Sequence, residues 1–158
     1  MKNLAVKAFA GATTILSMFS FVGCGDVSSH SIYQFEVDNV TQVTANEVTK
    51  VDVTLKATDI RSEGYEHVLI KIDATNKDNL EIKATDTQSQ EWDVIQTGSW
   101  GPPEGFAISN DYEATTEFRV NAQEEGIYTV TFDLVDLDNN ELILATKTMT
   151  FTAVGAEI

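Results

Sequence analysis

The chain has a single cysteine, Cys24, and so no internal disulfide on which to rest its fold. Its two histidines, His30 and His67, are too few to complete an ordinary zinc site. No Gly-x-Ser-x-Gly turn occurs, which removes the strained nucleophile of the serine hydrolases. Basic residues are scarce: ten Lys and Arg against 25 Asp and Glu give a formal net charge of −15. A surface of that sign repels phosphate backbones, so nucleic acid is excluded as a partner, and charge does not draw it to anionic lipid. The apolar stretch 8–22 is shorter than the ~20 residues that span a bilayer. These absences leave neither a catalytic constellation nor a cofactor to expect.

The amino terminus is the first positive signal. Lys2 and Lys7 supply charge, and Phe9, Ile15, Leu16, Met18, Phe19, Phe21 and Val22 make an apolar segment ahead of Gly23 and Cys24. That order is a secretory signal over residues 1–23. Phe21-Val22-Gly23-Cys24 resembles the lipobox of bacterial lipoproteins, with Phe21 where leucine is usual. The resemblance implies cleavage before Cys24, a lipid on its sulfur, and an extracytoplasmic domain anchored at the cell membrane. Plain secretion, with Cys24 incidental, is the alternative. A lone thiol is a liability in an oxidising compartment, and a thioether removes it. Such cleavage would remove Lys2 and Lys7 and take the net charge to −17. Residues 24–31 are small and polar and read as a tether, and 32–158 as one domain.

Two-residue alternation runs through that domain. Apolar positions repeat at every second residue in 32–37, 48–57, 68–74, 80–84, 112–120 and 128–134, with shorter or less regular runs at 92–95 and 142–151. Turn residues separate them, at 63–65, 76–79, 123–126 and 138–140. The pattern predicts an all-β protein, an antiparallel sandwich of seven to eight strands. Register is ambiguous around residues 146–148.

Glu124-Glu125-Gly126-Ile127-Tyr128-Thr129-Val130 resembles the corner entering strand F of immunoglobulin-like domains. The resemblance implies a tight turn at Gly126 and an inward Tyr128 whose hydroxyl returns to nearby backbone. Val130 would stand where antibody domains carry their second cysteine. The following hairpin is similar to the last hairpin of PKD-type domains, although the aromatic-acidic-glycine turn of that family is missing.

Three groups of residues are candidates for function. The stretch 98–106 holds both prolines, three glycines, Trp100 and Phe106. Proline stiffens such a loop, so its aromatics, joined by Tyr112 or Trp92, are candidates to contact an envelope protein or a glycan. The competing reading has Trp100 and Phe106 folding back to plug the sandwich. Asp136, Asp138 and Asn140 are weak calcium candidates, against a hairpin turn whose polar residues bond their own backbone. An EF-hand is excluded, because Glu141 and Lys147 occupy its glycine and glutamate positions. His67, beside Glu66, reads as a strand-edge residue. Together these features favour a lipid-anchored, non-enzymatic interaction module over a carbohydrate-binding lipoprotein or an enzyme inhibitor.

Overall fold

The computed structural model describes residues 31–60, 66–85, 92–94 and 98–156; the signal segment, Cys24 and the tether through residue 30 lie outside the described residues. The strands are β1 (Ile32–Val37), β2 (Gln42–Thr44), β3 (Thr49–Asp59), β4 (Glu66–Ala74), β5 (Leu80–Thr85), β6 (Trp92–Val94), β7 (Gly98–Trp100), β8 (Phe106–Ile108), β9 (Glu113–Ala122), β10 (Gly126–Asp136) and β11 (Leu142–Val154). All eight expected runs are strands. Three further strands, β2, β7 and β8, have three residues each, too short for alternation to reveal. Two of them lie in the proline- and glycine-rich stretch, where no regular structure was expected.

One sheet has the order β1-β3-β9-β5-β6 and the other β2-β11-β10-β4-β7, with β8 also paired to β4. The facing cores, β1-β3-β9-β5 and β11-β10-β4, have the strand arrangement of a constant-type immunoglobulin sandwich. The ladders are antiparallel as expected, with one exception. β2 runs parallel to β11, pairing Gln42 with Thr152 and Thr44 with Val154.

Alternation in sequence becomes alternation in burial. Val51, Val53, Leu55 and Ala57 of β3 are buried, as are Leu80, Ile82 and Ala84 of β5. Phe118 and Val120 of β9 face Tyr128, Val130, Phe132 and Leu134 of β10 across the interior. Phe118 meets Phe132 edge-on, their ring centroids 5.5 Å apart. The ambiguous register of β11 has a local cause. Leu134 pairs with Ala145 and Val135 with Ile143, so Leu144 is an extra residue that shifts the phase. Beyond that bulge Lys147 holds the core-side register position opposite Phe132, which is why the apolar pattern fails there.

The corner at Gly126 is formed as expected. Tyr128 is 2% exposed and stacks on Phe151, and its hydroxyl donates to the Glu124 carbonyl at 2.9 Å. Tyr128→Phe removes that bond while keeping the ring. It should cost about 1 kcal/mol, read as a lower urea midpoint at unchanged m-value. An unchanged midpoint would show that the corner does not depend on the hydroxyl.

Candidate functional site

The stretch 98–106 is fastened to β4. Trp100 pairs with Ile70 in the β7 ladder and Phe106 with Val68 in the β8 ladder. The Trp100 and Phe106 rings lie 5.0 Å apart, and Trp100 reaches Phe118 at 5.5 Å. A chain of aromatic contacts thus runs from the loop into the centre of the sandwich, with Trp100 and Phe106 half-buried against the core. Between them, the Gly105 N–H donates to the Pro102 carbonyl at 2.8 Å, closing a turn with Pro103 at its second position. Gly105 has φ +84, and a Cβ there would lie 2.8 Å from Leu137 Cδ1 and 3.1 Å from the Val68 carbonyl oxygen. At Gly101 a Cβ would come within 2.6 Å of Leu69 Cδ2 and 2.7 Å of Phe106 Cε2. Only glycine lets the backbone lie this close. The loop therefore covers Leu69, which is buried although it lies on the outer side of its sheet.

The other two aromatics lie elsewhere. Tyr112 is half-buried just ahead of β9, where its carbonyl accepts from the Ala57 N–H, and burial pushes its hydroxyl pKa up. Trp92 opens β6 in the opposite sheet, paired with Thr85; its side chain lies outside the described residues, as does Cys24. The structure brings Trp100 and Phe106 together but puts β6 and β7 in different sheets.

A second group of side chains meets at the end of the sandwich where β4 begins and β10 finishes. Glu66 and Asp136 are each only 4% exposed. The Tyr33 hydroxyl, from the opposite sheet, donates to Glu66 Oε2 at 2.9 Å. The Glu66 carboxyl is close enough to that of Asp136 to disfavour its ionisation. Burial, then the Glu66 carboxyl, raise the Asp136 pKa. Burial, then the bond to Glu66, push the Tyr33 hydroxyl far upward.

The neighbouring turn uses its own polar atoms. Asp136 Oδ1 accepts from the backbone N–H of Asp138 at 2.9 Å and of Asn139 at 3.2 Å. Asp138 accepts from the His67 N–H at 2.9 Å, and its Oδ2 lies 3.0 Å from His67 Nδ1. These bonds, the backbone one first, lower the Asp138 pKa. Asn140 is exposed in left-handed backbone at φ 52. Asp136 and Asp138 are thus engaged in holding the turn, and among the described residues no three His, Cys, Asp or Glu are grouped to hold a metal ion. Glu66 and Tyr33 were missed as partners of Asp136. The signal was their parity: Tyr33 shares the phase of Phe35, Glu66 of Val68, and Asp136 of Leu134.

Two sets of measurements follow. Trp100→Ala and Phe106→Ala should each cost about 3 kcal/mol, the lower end for core aromatics. Unchanged stability with lost partner binding would instead mark a contact surface. The two aspartates should titrate with opposite sign. A raised folded pKa makes Asp136 stabilising below the ordinary carboxylate value, an effect lost as pH rises through the folded value. A lowered one makes Asp138 stabilising above that value, an effect lost as pH falls through the folded value. Asp136→Asn, which keeps the oxygen for the turn, should therefore raise the melting temperature near neutral pH and gain less near about pH 4. Asp138→Asn should lower it near neutral pH, with the loss fading on acidification. Parallel pH profiles for the two variants would contradict the geometry.

No protein-family model and no curated protein matches the chain. Solved structures do. A CARDB domain from Pyrococcus furiosus, in complex with di-metal ions, is 12% identical over 83% of this chain and 100% of that one, with TM-score 0.54. Native alpha-2-macroglobulin from Escherichia coli, from domain MG7 to its C-terminus, is 10% identical over 81% of this chain and 17% of its own, with TM-score 0.53. AvmM, which catalyzes macrocyclization in alchivemycin A biosynthesis, is 10% identical over 83% and 92%, with TM-score 0.50. At such identities the likeness establishes an immunoglobulin-like β-sandwich and no more, a fold that hosts many functions.

Proposed function

We propose that the chain is a lipoprotein: a non-enzymatic interaction module held by a lipid on Cys24 at the outer side of a cell membrane. The observation that carries this reading is where the fold begins. β1 opens at Ile32, with seven residues between it and Cys24. The core between the described sheets is packed from apolar and aromatic side chains, with Ser31, Glu66 and Asp136 the polar residues buried among those described. The thiol is therefore not needed for folding and is left for the lipid. Two acyl chains anchor stably where one is marginal, at about 0.8 kcal/mol per buried methylene.

The described ionisable groups support a binding role over catalysis. Glu66 and Asp136 are sealed beneath the surface behind the Tyr33 hydroxyl, and His67 is tied to Asp138. A sandwich of similar fold catalyses in AvmM, so this choice rests on the residues and not on the architecture.

Metabolic labelling with radioactive palmitate tests the anchor. The wild-type protein should carry label and sediment with membranes; Cys24→Ala should carry none and appear in the soluble fraction with its melting temperature unchanged. Equal labelling of the two forms would overturn the reading.

A further inference from the structure

We infer that the domain stands upright on the membrane, with the Ile32 end facing the bilayer and the opposite set of turns facing outward. The inference rests on the lipid-anchor reading and on the length of the tether, which bounds its reach.

The two ends are defined by the register. Ile32 pairs with Asp59 at one end of β3, and Tyr33 bonds Glu66 at the start of β4. Gly105 lies against Val68 and Leu137 at this same end, and the β10–β11 turn, residues 137–141, closes it. At the other end Thr49 pairs with Val120 and Leu80 with Ala122. There the Asn46 N–H donates to the Ala122 carbonyl and the Gln123 N–H to the Asn79 carbonyl. The turns 45–48, 75–79 and 123–125 are therefore neighbours at the end remote from Ile32.

The tether cannot span the domain. From Cys24 to Ile32 are eight backbone steps, at most about 29 Å fully extended. The 11 residues of β3 separate the two ends by about 34 Å. An inverted domain, standing on the turns 45–48, 75–79 and 123–125, would place Ile32 beyond the reach of an anchored Cys24.

Charge and surface chemistry disfavour lying flat. Half of the eight basic residues after Cys24 lie on the outer face of the β1-β3-β9-β5 sheet, where they are paired. Lys50 and Arg119 hold Glu117, Lys56 holds Glu113, and Lys83 holds Glu81. That face offers anionic headgroups no free block of cations. Among the described residues, the exposed large apolar side chains are Ile32, Val48, Ile127 and Ile143, which sit on separate strands and turns. Among the described residues, the Ile32 end carries exposed Glu104, Asp111 and Asp138, and Glu141 bonded to Lys71 at 2.6 Å. Anionic lipid repels it, so the domain faces the membrane without docking on it.

The test uses isotope-labelled protein, isolated with its lipid and reconstituted in phosphatidylcholine nanodiscs containing a gadolinium-chelating headgroup lipid. Amide signals of Gly105 and Asp138 to Glu141 should broaden severalfold more than those of Asn76 to Asn79 and Glu124 to Gly126. Adding phosphatidylglycerol should weaken the broadening at the Ile32 end. Equal broadening at both ends, or broadening along one sheet face, would overturn the orientation. Protein isolated without lipid would sink the anchor reading instead. Coupling a maleimide lipid to Cys24 of that material restores the same tether, and the same comparison then decides the orientation.

Discussion

Two sheets without a disulfide between them are joined by what their inner faces bury, and the edge-on contact of Phe118 with Phe132 is central to that burial. Both rings are fully buried, each contributing about 1.5–3 kcal/mol. Together they match or exceed the ~2–4 kcal/mol of a typical disulfide. Val130, at the position antibody domains give to cysteine, is completely buried beside them in β10. Other parts of the fold attach to this contact. Trp100 packs on Phe118, Phe106 packs on Trp100, and the close approach of Gly101 lets the loop lie down over Leu69. The most irregular stretch of the sequence is thereby built around the most regular part of the core.

What was legible in the sequence was whatever repeats at a period of two. β3, β5, β9 and β10 could be read from their buried positions alone, and the corner at Tyr128 from a short motif. What stayed hidden depends on neighbours remote in sequence. β2, β7 and β8 are defined by pairing with β11 and β4, and three residues are too few to alternate. Leu69 and Val135 pair with each other on the outer side of their sheet and are buried there, against the phase of their strands. Only knowledge of the loop over Leu69 makes the burial of that residue intelligible. The bulge at Leu144 shifts the phase of β11, so no single alternation fits the whole strand.

The carboxyl group at the end of the sandwich was legible in part. Tyr33, Glu66 and Asp136 each extend an apolar face by one further inward position, on three different strands. Inward faces converge, so polar residues ending three of them meet where the core meets solvent. The fold meets the resulting burial of charge with a phenol hydroxyl on Glu66 and two backbone N–H groups on Asp136. This explains why the turn 136–140, which resembles the opening of a calcium loop in sequence, directs its oxygen atoms toward its own chain. The Asp138 carboxylate is occupied by His67, and Asp136 by the turn it begins.

Charge placement connects the fold to its setting. A sandwich with outward-facing polar strands needs solvation on both outer faces, and this chain has few basic residues to distribute. It places half of them on one sheet, each in a salt bridge with an acid, so that Glu117 is held by Lys50 and Arg119 and its pKa is lowered by those bonds. Exposed acids outnumber bases at both described ends, where Glu104, Asp111 and Asp138 lie at one and Glu47, Asp78, Glu124 and Glu125 lie with Lys77 at the other. In the proposed orientation, the acidic end beside the point where the chain enters the domain is the membrane-proximal surface, which anionic lipid would not capture. Under the proposed anchor, adhesion and anchoring are separate tasks: a lipid on Cys24 would supply the second and leave the domain surface free of the first.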